Sequence, residues 1–292
     1  MKASVIVPVK NDSRIDQCIE ALLNQEFSDD YEVIIVENGP EQLLKDVVKS
    51  YPVTYAYEPI LGSYRARNTG IKLVNNDIVA FTDADCLVEK QWLEQLIAGF
   101  TEDSIGAVSG KNLNKKENNP VVLCQRNISI GEGVQYLSHI YPAPFAPTCN
   151  VAYRLSVLKE LNGFDEEFKS GGDVDIAWRM SMLGYSMGYA PQAIVYFGCR
   201  TTVKAYYKQY FVYGKWHALL FKKYRKYTGK RMVINSYSIK LVAKSIFGLL
   251  KGIFLFKGKF FVLSHWLGLA EGVALINGGI AGSIKYHVLF TT

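Results

Sequence analysis

The amino-terminal part of the sequence predicts an α/β fold, with a mostly parallel β-sheet that carries helices on both faces. Short apolar segments rich in β-branched residues alternate with segments of helical period between residues 3 and 109. This βαβα alternation is typical of a parallel sheet. Strands are expected at Ala3–Val9, Tyr31–Glu37, Val53–Tyr57, Ile78–Thr82 and Ala107–Ser109, and helices at Arg14–Asn24, Gln42–Ser50, Tyr64–Val74 and Lys90–Phe100.

Charge divides the chain into two parts. Residues 1–199 carry 17 Lys and Arg against 26 Asp and Glu, whereas residues 200–292 carry 16 basic residues and one acid, Glu271. The net charges of −9 and +15 indicate surfaces that meet different partners. Five cysteines without a Cys-x-x-Cys pair argue against a disulfide framework or a zinc site and favour a reducing compartment.

The loop after the first strand disfavours several classes of nucleotide-binding enzyme. The turn from Pro8 to Ser13 lacks Gly-x-Gly-x-x-Gly, and the chain contains no Gly-x4-Gly-Lys-Ser/Thr sequence. A hydride-transferring dehydrogenase and a P-loop nucleotidase both need such loops to hold phosphates. A sugar-nucleotide pyrophosphorylase would also need a glycine-rich basic loop here, so nucleotidyl transfer is a weak alternative.

Two acids, Asp83 and Asp85, follow the fourth predicted strand. The carboxyl ends of the strands form the edge at which open α/β sheets bind ligands. Two dry, unpaired carboxylates so close together would repel each other and raise a pKa. A Mg²⁺ or Mn²⁺ ion, with the oxygens of a bound diphosphate, would remove that repulsion. The alternative is a solvated turn that caps the helix beginning near Lys90.

Charged residues occupy two neighbouring loops. Glu37 ends the second strand, where its carboxylate could accept hydrogen bonds from a base or ribose; ordinary turn chemistry at Asn38-Gly39 is the alternative. Arg65 and Arg67 begin the third helix, where the helix dipole disfavours cations. They therefore indicate an anionic partner, either a diphosphate or the two acids of the following strand, and a surface salt bridge is the alternative.

Two further acids, Asp173 and Asp175, lie at the start of a helix predicted after Gly171-Gly172. The helix dipole favours acids there, so Asp173 could cap the helix. It could equally act as a general base, held at a rigid helix start beside a flexible loop. The preceding residues 111–147 are polar and then rich in proline and aromatic residues, as expected for loops around a site.

The carboxyl-terminal region predicts membrane association. Basic and aromatic residues interleave between residues 204 and 231, a pattern that fits nucleic-acid-binding surfaces and also helices on membrane surfaces. The apolar segments that follow, 239–256 and 260–284, favour the membrane and argue against nucleic acid. The first carries Lys240, Lys244 and Lys251 on one helical face, and the second repeats Ser264, Gly268 and Gly272, a spacing that permits close helix packing.

We expect these two segments to form a helical hairpin in the interface of a membrane with anionic lipid, at its cytoplasmic face. Two spanning helices are an alternative, although the first segment is short and charged for a span. A buried helical subdomain or an oligomer interface is the other alternative, and the oligomeric state is left open.

The assembled motifs resemble the family 2 glycosyltransferases of the GT-A fold over roughly Met1 to Tyr227. Six elements in the right order carry the resemblance. They are the strand and loop Ser4–Asn11, the strand Val33–Gly39, Ala66-Arg67-Asn68-Thr69-Gly70, Asp83-Ala84-Asp85, Gly163-Phe164-Asp165-Glu166 and Gly172-Asp173-Val174-Asp175.

The resemblance implies an inverting hexosyltransferase that uses a nucleotide-diphosphate sugar, most often a UDP-sugar, with Mn²⁺ or Mg²⁺. The acceptor would be a lipid-linked or cell-surface glycan, as in cell-envelope polysaccharide synthesis. Asp173 would be the general base, and Asp85 and Asp83 would bind the metal. The nucleotide sugar would contact Pro8, Val9, Asn11, Glu37, Arg67, Asp83 and Asp85, and the acceptor would contact Asn150, Asp175 and Arg179.

On this reading residues 1–200 form the GT-A catalytic domain, with a nucleotide-binding half at 1–110 and an acceptor half at 111–200, and residues 201–292 form the helical, membrane-associated region. Three departures from the family pattern stand out. Gly172 replaces a usual glutamate, no Gln-x-x-Arg-Trp sequence follows Asp173, and Val195–Gly198 lacks a metal-binding histidine. The absence of Gln-x-x-Arg-Trp favours transfer of one sugar over processive synthesis. The missing glutamate and histidine leave an inactive GT-A-like scaffold as the alternative.

Overall fold

The computed structural model describes residues 1–115, 117–125, 133–234 and 236–291. Contacts between Cα atoms divide the chain into two compact units. The first unit comprises Met1–Asn114, Gly131–Tyr136 and Ala143–Gly198, and the second comprises Lys115–Ile130, Leu137–Pro142 and Cys199–Thr292. Two segments from the region between residues 111 and 147 thus cluster with the carboxyl-terminal helices.

The first unit is built on an eight-stranded mixed sheet with the order β3-β2-β1-β4-β9-β6-β10-β5. Neighbouring pairs are parallel except at β9, which runs antiparallel to β4 and β6, and at β5, which runs antiparallel to β10. The strands of the chain are β1 Ala3–Val9, β2 Tyr31–Asn38, β3 Thr54–Glu58, β4 Ile78–Phe81, β5 Leu87–Val88, β6 Ile105–Asn114, β7 Gln135–Tyr136, β8 Pro144–Phe145, β9 Val151–Arg154, β10 Ser186–Phe197, β11 Met232–Ile234 and β12 Leu289–Thr291.

Helices follow the strands of this sheet, which confirms the predicted α/β class. The chain contains α1 Ile15–Leu23, α2 Lys45–Lys49, α3 Ser63–Ile71, α4 Trp92–Ala98, α5 Pro120–Gln125, α6 Leu155–Glu160, α7 Gly172–Met182, α8 Val203–Thr228, α9 Ser236–Phe254 and α10 Lys259–Tyr286. The central strands are buried along their whole length, because β1 and β4 carry apolar side chains on both faces. Trp92 of α4 and Trp178 of α7 are completely buried.

The second unit consists mainly of the long helices α8, α9 and α10. Small residues bring their backbones together, since a Cβ built on Gly278 would lie 2.1 Å from the carbonyl oxygen of Phe211 in α8. On the other side, a Cβ on Gly272 would lie 2.9 Å from the carbonyl oxygen of Ser238 in α9. The small-residue spacing in α10 therefore serves packing inside this unit.

Helix α9 has its large and small residues in the opposite places from a soluble amphipathic helix. Its buried residues are Ser238, Ser245, Gly248 and Gly252, whereas most of its large apolar side chains are exposed and Leu241, Val242 and Leu249 are half-buried. Phe247 is 70% exposed, Phe254 76% and Phe256, just beyond the helix, 94%. Among the described helices, α10 is the one long and apolar enough to cross a membrane, and 50% of its most apolar stretch is buried inside the protein.

Candidate active site

Three segments of the chain meet at one edge of the sheet in the first unit. β1 pairs in parallel with β2 and with β4, so that Val9 lies opposite Glu37 and the last residue of β4 lies opposite Ile6. The turn that carries Asp83 and Asp85 follows directly after β4. The carboxyl-end placement expected from the sequence is therefore present.

Arg67 is the buried cation of this edge. Its guanidinium is enclosed between α3 and the turn after β4, where it donates a hydrogen bond and forms an ion pair with Asp83. It also lies over the ring of Tyr64, at 5.6 Å from the ring centroid. Its Nε is buried and has no hydrogen-bond partner among the described residues. A buried guanidinium with an unused donor is suited to an anionic ligand.

The two acids of the turn have different neighbours. Burial raises the pKa of Asp83, the Arg67 guanidinium opposes this effect, and the nearby Asp85 adds to it. Asp85 lies 3.5 Å from the guanidinium of Arg14, which is held more closely by Asp12 at 2.6 and 2.9 Å. Mutual repulsion of the two carboxylates is therefore a feature of this site, as the sequence suggested.

The side chains present fit a hard divalent cation. Asp83 and Asp85 offer partly exposed carboxylates one residue apart, and carboxylates suit Mg²⁺ and Mn²⁺. A softer alternative lies beside them, because ligand atoms of Asp83, Cys86 and Cys149 fall within 4.8 Å of one another. A hydrogen bond with Cys149 and burial raise the pKa of the Cys86 thiol. Mg²⁺ and Mn²⁺ prefer oxygen ligands to thiols, so the carboxylates are the better set for such an ion.

Glu37 is placed at the sheet edge and is held there by two hydrogen bonds. Its side chain is buried, and each carboxylate oxygen already accepts a hydrogen bond, one from the backbone N–H of Leu44 at 2.9 Å and one from the hydroxyl of Tyr55 at 2.7 Å. These bonds hold the loop between β2 and α2. Each carboxylate oxygen keeps a further lone pair, so the contact of Glu37 with a base or ribose stays a prediction.

The end of β1 supplies the other predicted nucleotide contacts. Pro8 and Val9 have buried side chains within the strand and pair with Val36 and Glu37 of β2. Asn11 is exposed, and its φ of +42° lies in the left-handed region that asparagine tolerates. This backbone turn leads the chain from the strand into α1.

Asp173 occupies the first turn of α7 and is not the capping residue. The N-cap is Gly171, whose φ of 83° turns the chain into the helix. The Oδ1 atom of Asp173 accepts hydrogen bonds from the N–H of Val174 at 3.0 Å and from the hydroxyl of Tyr64 at 3.3 Å. Burial raises the pKa of Asp173. The carboxylate is only partly exposed and its orientation is fixed by these contacts, as expected of a general base.

Asn150 was expected to contact the acceptor, and the structure contradicts this. Its side chain is completely buried. Its Oδ1 accepts a hydrogen bond from the indole N–H of Trp92 at 2.8 Å, and its Nδ2 donates to the carbonyl oxygens of Lys111 and Ala193, each at 3.0 Å. All polar groups of the side chain are used inside the sheet, so Asn150 joins strands and helix α4 rather than binding a ligand.

Asp175 and Arg179, the other predicted acceptor contacts, also serve the protein interior. Asp175 is completely buried and accepts a hydrogen bond from Nε of Arg179 at 2.8 Å. The two terminal nitrogens of Arg179 donate to the carbonyl oxygens of Leu161 and Gly163 at 2.7 and 2.8 Å. This pair fixes α7 to the turn after α6. The complete burial of Asp175 contradicts its predicted contact with the acceptor, whereas Arg179 is 22% exposed and its contact stays a prediction.

Two residues of α3 connect the site in a way that the sequence reading missed. Asn68 clamps Phe164, because its Oδ1 accepts from the Phe164 N–H and its Nδ2 donates to the Phe164 carbonyl oxygen, both at 2.8 Å. Tyr64 stacks on the ring of Phe164 at 5.5 Å and reaches Asp173. Both residues stand beside the quoted Ala-Arg-Asn element, but only the fold reveals that this element touches the Gly-Phe-Asp-Glu segment.

Sequence comparison identifies the family of this site. Residues 4–161 match the family described as glycosyl transferase family 2, which is more than half of the chain. The chain belongs to glycosyl transferase family 2. The motifs at Asp83-Ala84-Asp85 and Ala66–Gly70 agree with this family.

Named relatives of this family 2 glycosyltransferase support the same assignment. Glycosyltransferase AglE of Haloferax volcanii is 32% identical over 204 residues, which is 67% of this chain and 66% of that protein, so the chain spans just under two thirds of its length. O-antigen chain rhamnosyltransferase RfbN of Salmonella typhimurium is 25% identical over 230 residues, which is 75% of this chain and 73% of that protein.

Solved structures share the fold of this family 2 glycosyltransferase. Mannosyltransferase PcManGT from Pyrobaculum calidifontis, solved with GDP-Man and Mn²⁺, superposes with a TM-score of 0.65 at 17% identity and covers 97% of this chain and 87% of its own. S. aureus TarS 1-349, solved with UDP, gives a TM-score of 0.53 at 19% identity and covers 98% and 92%. At these identities the likeness establishes the GT-A fold alone.

Proposed function

We propose that the chain transfers a single sugar from a nucleotide-diphosphate sugar, with a UDP-sugar as the first candidate, to a lipid-linked or cell-surface glycan. Transfer inverts the anomeric centre and is assisted by Mn²⁺ or Mg²⁺. The catalytic part comprises residues 1–200, and residues 201–292 associate with the membrane. The complexes of TarS with UDP and of PcManGT with GDP-Man and Mn²⁺ support a donor and a metal of these classes.

One observation carries the proposal: contiguous contacts join the donor acids to the proposed base. Asp83 pairs with Arg67, Arg67 lies over the ring of Tyr64, and the hydroxyl of Tyr64 donates to Asp173. Acids suited to a cation, a buried guanidinium and a partly exposed carboxylate with a raised pKa therefore belong to one site. That combination is what phosphate departure and proton removal both require.

The donor side of the site is expected to stabilise the leaving diphosphate. Arg67 lies in a buried position and has an unused donor at Nε, so it can bind negative charge without first losing water. Asp83 and Asp85 would hold the divalent cation, which when bound neutralises charge on the diphosphate. Asn11 and the backbone edge of Pro8 and Val9 would line the nucleotide.

The acceptor side needs a base for the attacking hydroxyl. The acceptor oxygen forms a bond to the anomeric carbon while the bond from that carbon to the diphosphate oxygen breaks, and the hydroxyl proton passes to Asp173. Attack from the face opposite the leaving group inverts the centre. Because burial raises the pKa of Asp173, the carboxylate is a stronger base than a solvated aspartate.

The second unit is proposed to bind the cytoplasmic face of a membrane. In α9 the small residues are buried and Phe247 and Phe254 are exposed, an arrangement that leaves a large apolar surface for lipid. The exposed lysines of this helix, Lys240, Lys244 and Lys251, fit anionic headgroups. Membrane attachment would bring the enzyme to a lipid-linked acceptor, and the O-antigen role in the name of RfbN is consistent with such a substrate.

Reversal of the α9 lysines is expected to release the protein from anionic vesicles. Each basic residue near the surface contributes roughly 1 kcal/mol, so Lys240→Glu, Lys244→Glu and Lys251→Glu together should lower the partition coefficient about a hundredfold or more. Co-sedimentation with phosphatidylglycerol-containing vesicles measures this. The matched control reverses Lys45, Lys49 and Lys72, which are exposed lysines of the first unit.

A companion variant separates the apolar contribution from the charge. Phe247→Ser, Phe254→Ser and Phe256→Ser should weaken binding to neutral as well as anionic vesicles, because these rings are the most exposed of the hairpin. Unchanged sedimentation of both variants would reject membrane binding by α9 and favour a protein partner on this face.

Calorimetric titration with a panel of nucleotides and nucleotide sugars tests the proposed donor. We expect Mn²⁺-dependent binding of one nucleoside diphosphate and its sugars, with UDP tried first and GDP and dTDP next, and loss of that binding in chelator. Release of the nucleoside diphosphate, rather than pyrophosphate, should accompany turnover. Folded protein that binds none of the panel would reject the transferase proposal and leave an inactive scaffold.

A further inference from the structure

A tyrosine ring fills the space that a side chain at residue 172 would need. A Cβ built on Gly172 would lie 2.7, 2.8 and 2.9 Å from Cε2, Cδ2 and Cζ of Tyr64. Real Cβ atoms do not approach ring carbons so closely, so a side chain at 172 and Tyr64 in its present place exclude each other. The family resemblance implies a glutamate at residue 172, and the space beside the base is filled here by the ring of a residue 108 positions earlier.

The ring of Tyr64 has little freedom to leave this position. It is buried, it stacks on Phe164 at a centroid distance of 5.5 Å, and the guanidinium of Arg67 lies over it at 5.6 Å. Phe164 is itself held by both hydrogen bonds to the amide of Asn68. These contacts hold the Tyr64 ring in place, so that its hydroxyl stays beside the Asp173 carboxylate.

The contact is specific to one oxygen of the base. Tyr64 donates to Oδ1 of Asp173 at 3.3 Å, and the N–H of Val174 donates to the same atom at 3.0 Å. Two donors on Oδ1 fix the rotation of the carboxylate and direct proton transfer to Oδ2. A hydroxyl that donates to a carboxylate also favours its ionised form.

The groups that face Asp173 come from three elements, α7, α3 and β9. On α7 the N–H of Val174 donates to Oδ1 of Asp173 and lowers the pKa of Asp173. Tyr64 and Arg67 lie on α3, and both lower the pKa of Asp173 against the opposing effect of burial. Tyr153 lies on β9, and its buried hydroxyl has no partner among the described residues; burial and the charge of Asp173 raise the pKa of Tyr153. Tyr64 is the one side chain of these groups that donates a hydrogen bond to the Asp173 side chain among the described contacts.

We propose that Tyr64 is the positioning residue of the catalytic base, and that it takes the place of the acid missing at Gly172 by orienting Asp173 and stabilising its ionised form. This inference rests on the proposed role of Asp173. On this inference the absence of glutamate at residue 172 does not imply a loss of activity, because Tyr64 of α3 supplies a contact to the base instead.

The test compares Tyr64→Phe with the wild type and with Tyr31→Phe. Tyr64→Phe keeps the ring against Gly172 and removes only the hydroxyl. Tyr31→Phe is the matched control, since it removes a hydroxyl that donates to the Leu22 carbonyl at 2.9 Å elsewhere in the first unit. The donor found in the calorimetric panel is used, and release of its nucleoside diphosphate is measured from pH 4 to 9 with water as acceptor, so that no acceptor need be known.

We expect Tyr64→Phe to bind the donor with a dissociation constant within twofold of the wild type, to lower kcat about tenfold, and to move the acid limb of the kcat profile up by about one pH unit. The direction follows because loss of the hydrogen bond raises the pKa of the base, which must be ionised to act. Tyr31→Phe should change neither kcat nor the acid limb.

A double-mutant cycle supplies a second measurement. Gly172→Ala should lower kcat when Tyr64 is present, because the new Cβ displaces the ring, and it should cost little in a Tyr64→Ala background. A Tyr64→Phe enzyme with the wild-type kcat and acid limb, alongside an inactive Asp173→Asn enzyme, would overturn this inference alone. An active Asp173→Asn enzyme would instead overturn the proposed base, and this inference with it.

Discussion

Asp173→Asn is expected to lower sugar transfer by about 10²–10⁴-fold, the usual contribution of a general base, while donor affinity stays within about twofold of the wild type. The amide has nearly the shape of the carboxylate, but it cannot accept the proton of the attacking hydroxyl. Hydrogen bonds from the N–H of Val174 and the hydroxyl of Tyr64 to the residue's Oδ1 can persist. Binding and catalysis should therefore separate cleanly.

Single-turnover transfer and calorimetry with the donor, performed on the same preparation, measure the two effects. Asp103→Asn is the matched control, because Asp103 is fully exposed at its side chain and lies outside the site. Equal transfer by the wild type and Asp173→Asn would remove Asp173 as the base. A parallel loss of donor binding would indicate that Asp173 serves the donor and not the acceptor.

The pH dependence of the wild type follows from the same residue. Burial raises the folded-state pKa of Asp173 above the ordinary value of 3.8. The ionised form is the active one, so activity should be present above that raised pKa and should fall as the pH drops through it. An acid limb at or below the ordinary aspartate value would mean that another group controls the reaction.

The first half of the sheet could be predicted because its information is local. Each of β1, β2 and β4 is a short apolar run bounded by turn residues, and parallel strands share a carboxyl edge. That placed Asp83 at this edge, and the position of Arg67 near the start of a helix indicated an anionic partner there. β9 was not predicted. Its antiparallel position between β4 and β6 is set by tertiary contacts made after a long loop, and these contacts cannot be read from the local sequence.

The site residues that were wrongly assigned show a second limit of sequence reading. Asn150 is polar and lies in a motif-like segment, so it resembles a ligand contact. Its partners, Trp92, Lys111 and Ala193, come from three distant parts of the chain, and only the fold reveals that they use every polar atom of the amide. Burial by tertiary contacts cannot be read from a residue's type or its spacing.

Gly172 is a second residue whose role depends on tertiary contacts that the sequence does not reveal. In the sequence it is a missing glutamate, and it suggests a weakened or lost activity. In the fold, the ring of Tyr64 occupies the space that a side chain at residue 172 would need. The two residues compensate across more than a hundred positions, so neither is interpretable without the other.

Asp85→Ala is expected to abolish the metal dependence of donor binding. Asp83 already forms an ion pair with the buried Arg67. The guanidinium near Asp85 is that of Arg14, which lies 3.5 Å from Asp85 but only 2.6 Å from Asp12. Asp85 is therefore the acid better placed to exchange its neighbour for a divalent ion. Without it, the ion would have one carboxylate, which is shared with a guanidinium.

In calorimetry, the donor dissociation constant of Asp85→Ala with Mn²⁺ should rise about a hundredfold, an effect of the size seen when a charged partner is removed, and should match its value in chelator. Folding should be preserved, because Asp85 raises the pKa of Asp83 by repulsion and its removal relieves that repulsion. Asp173→Asn, which should retain metal-dependent binding, is the control for a general disturbance of the site. Tight Mn²⁺-dependent binding by Asp85→Ala would show that the ion is held elsewhere, and the Asp83-Ala84-Asp85 turn would then be a structural element beside the nucleotide.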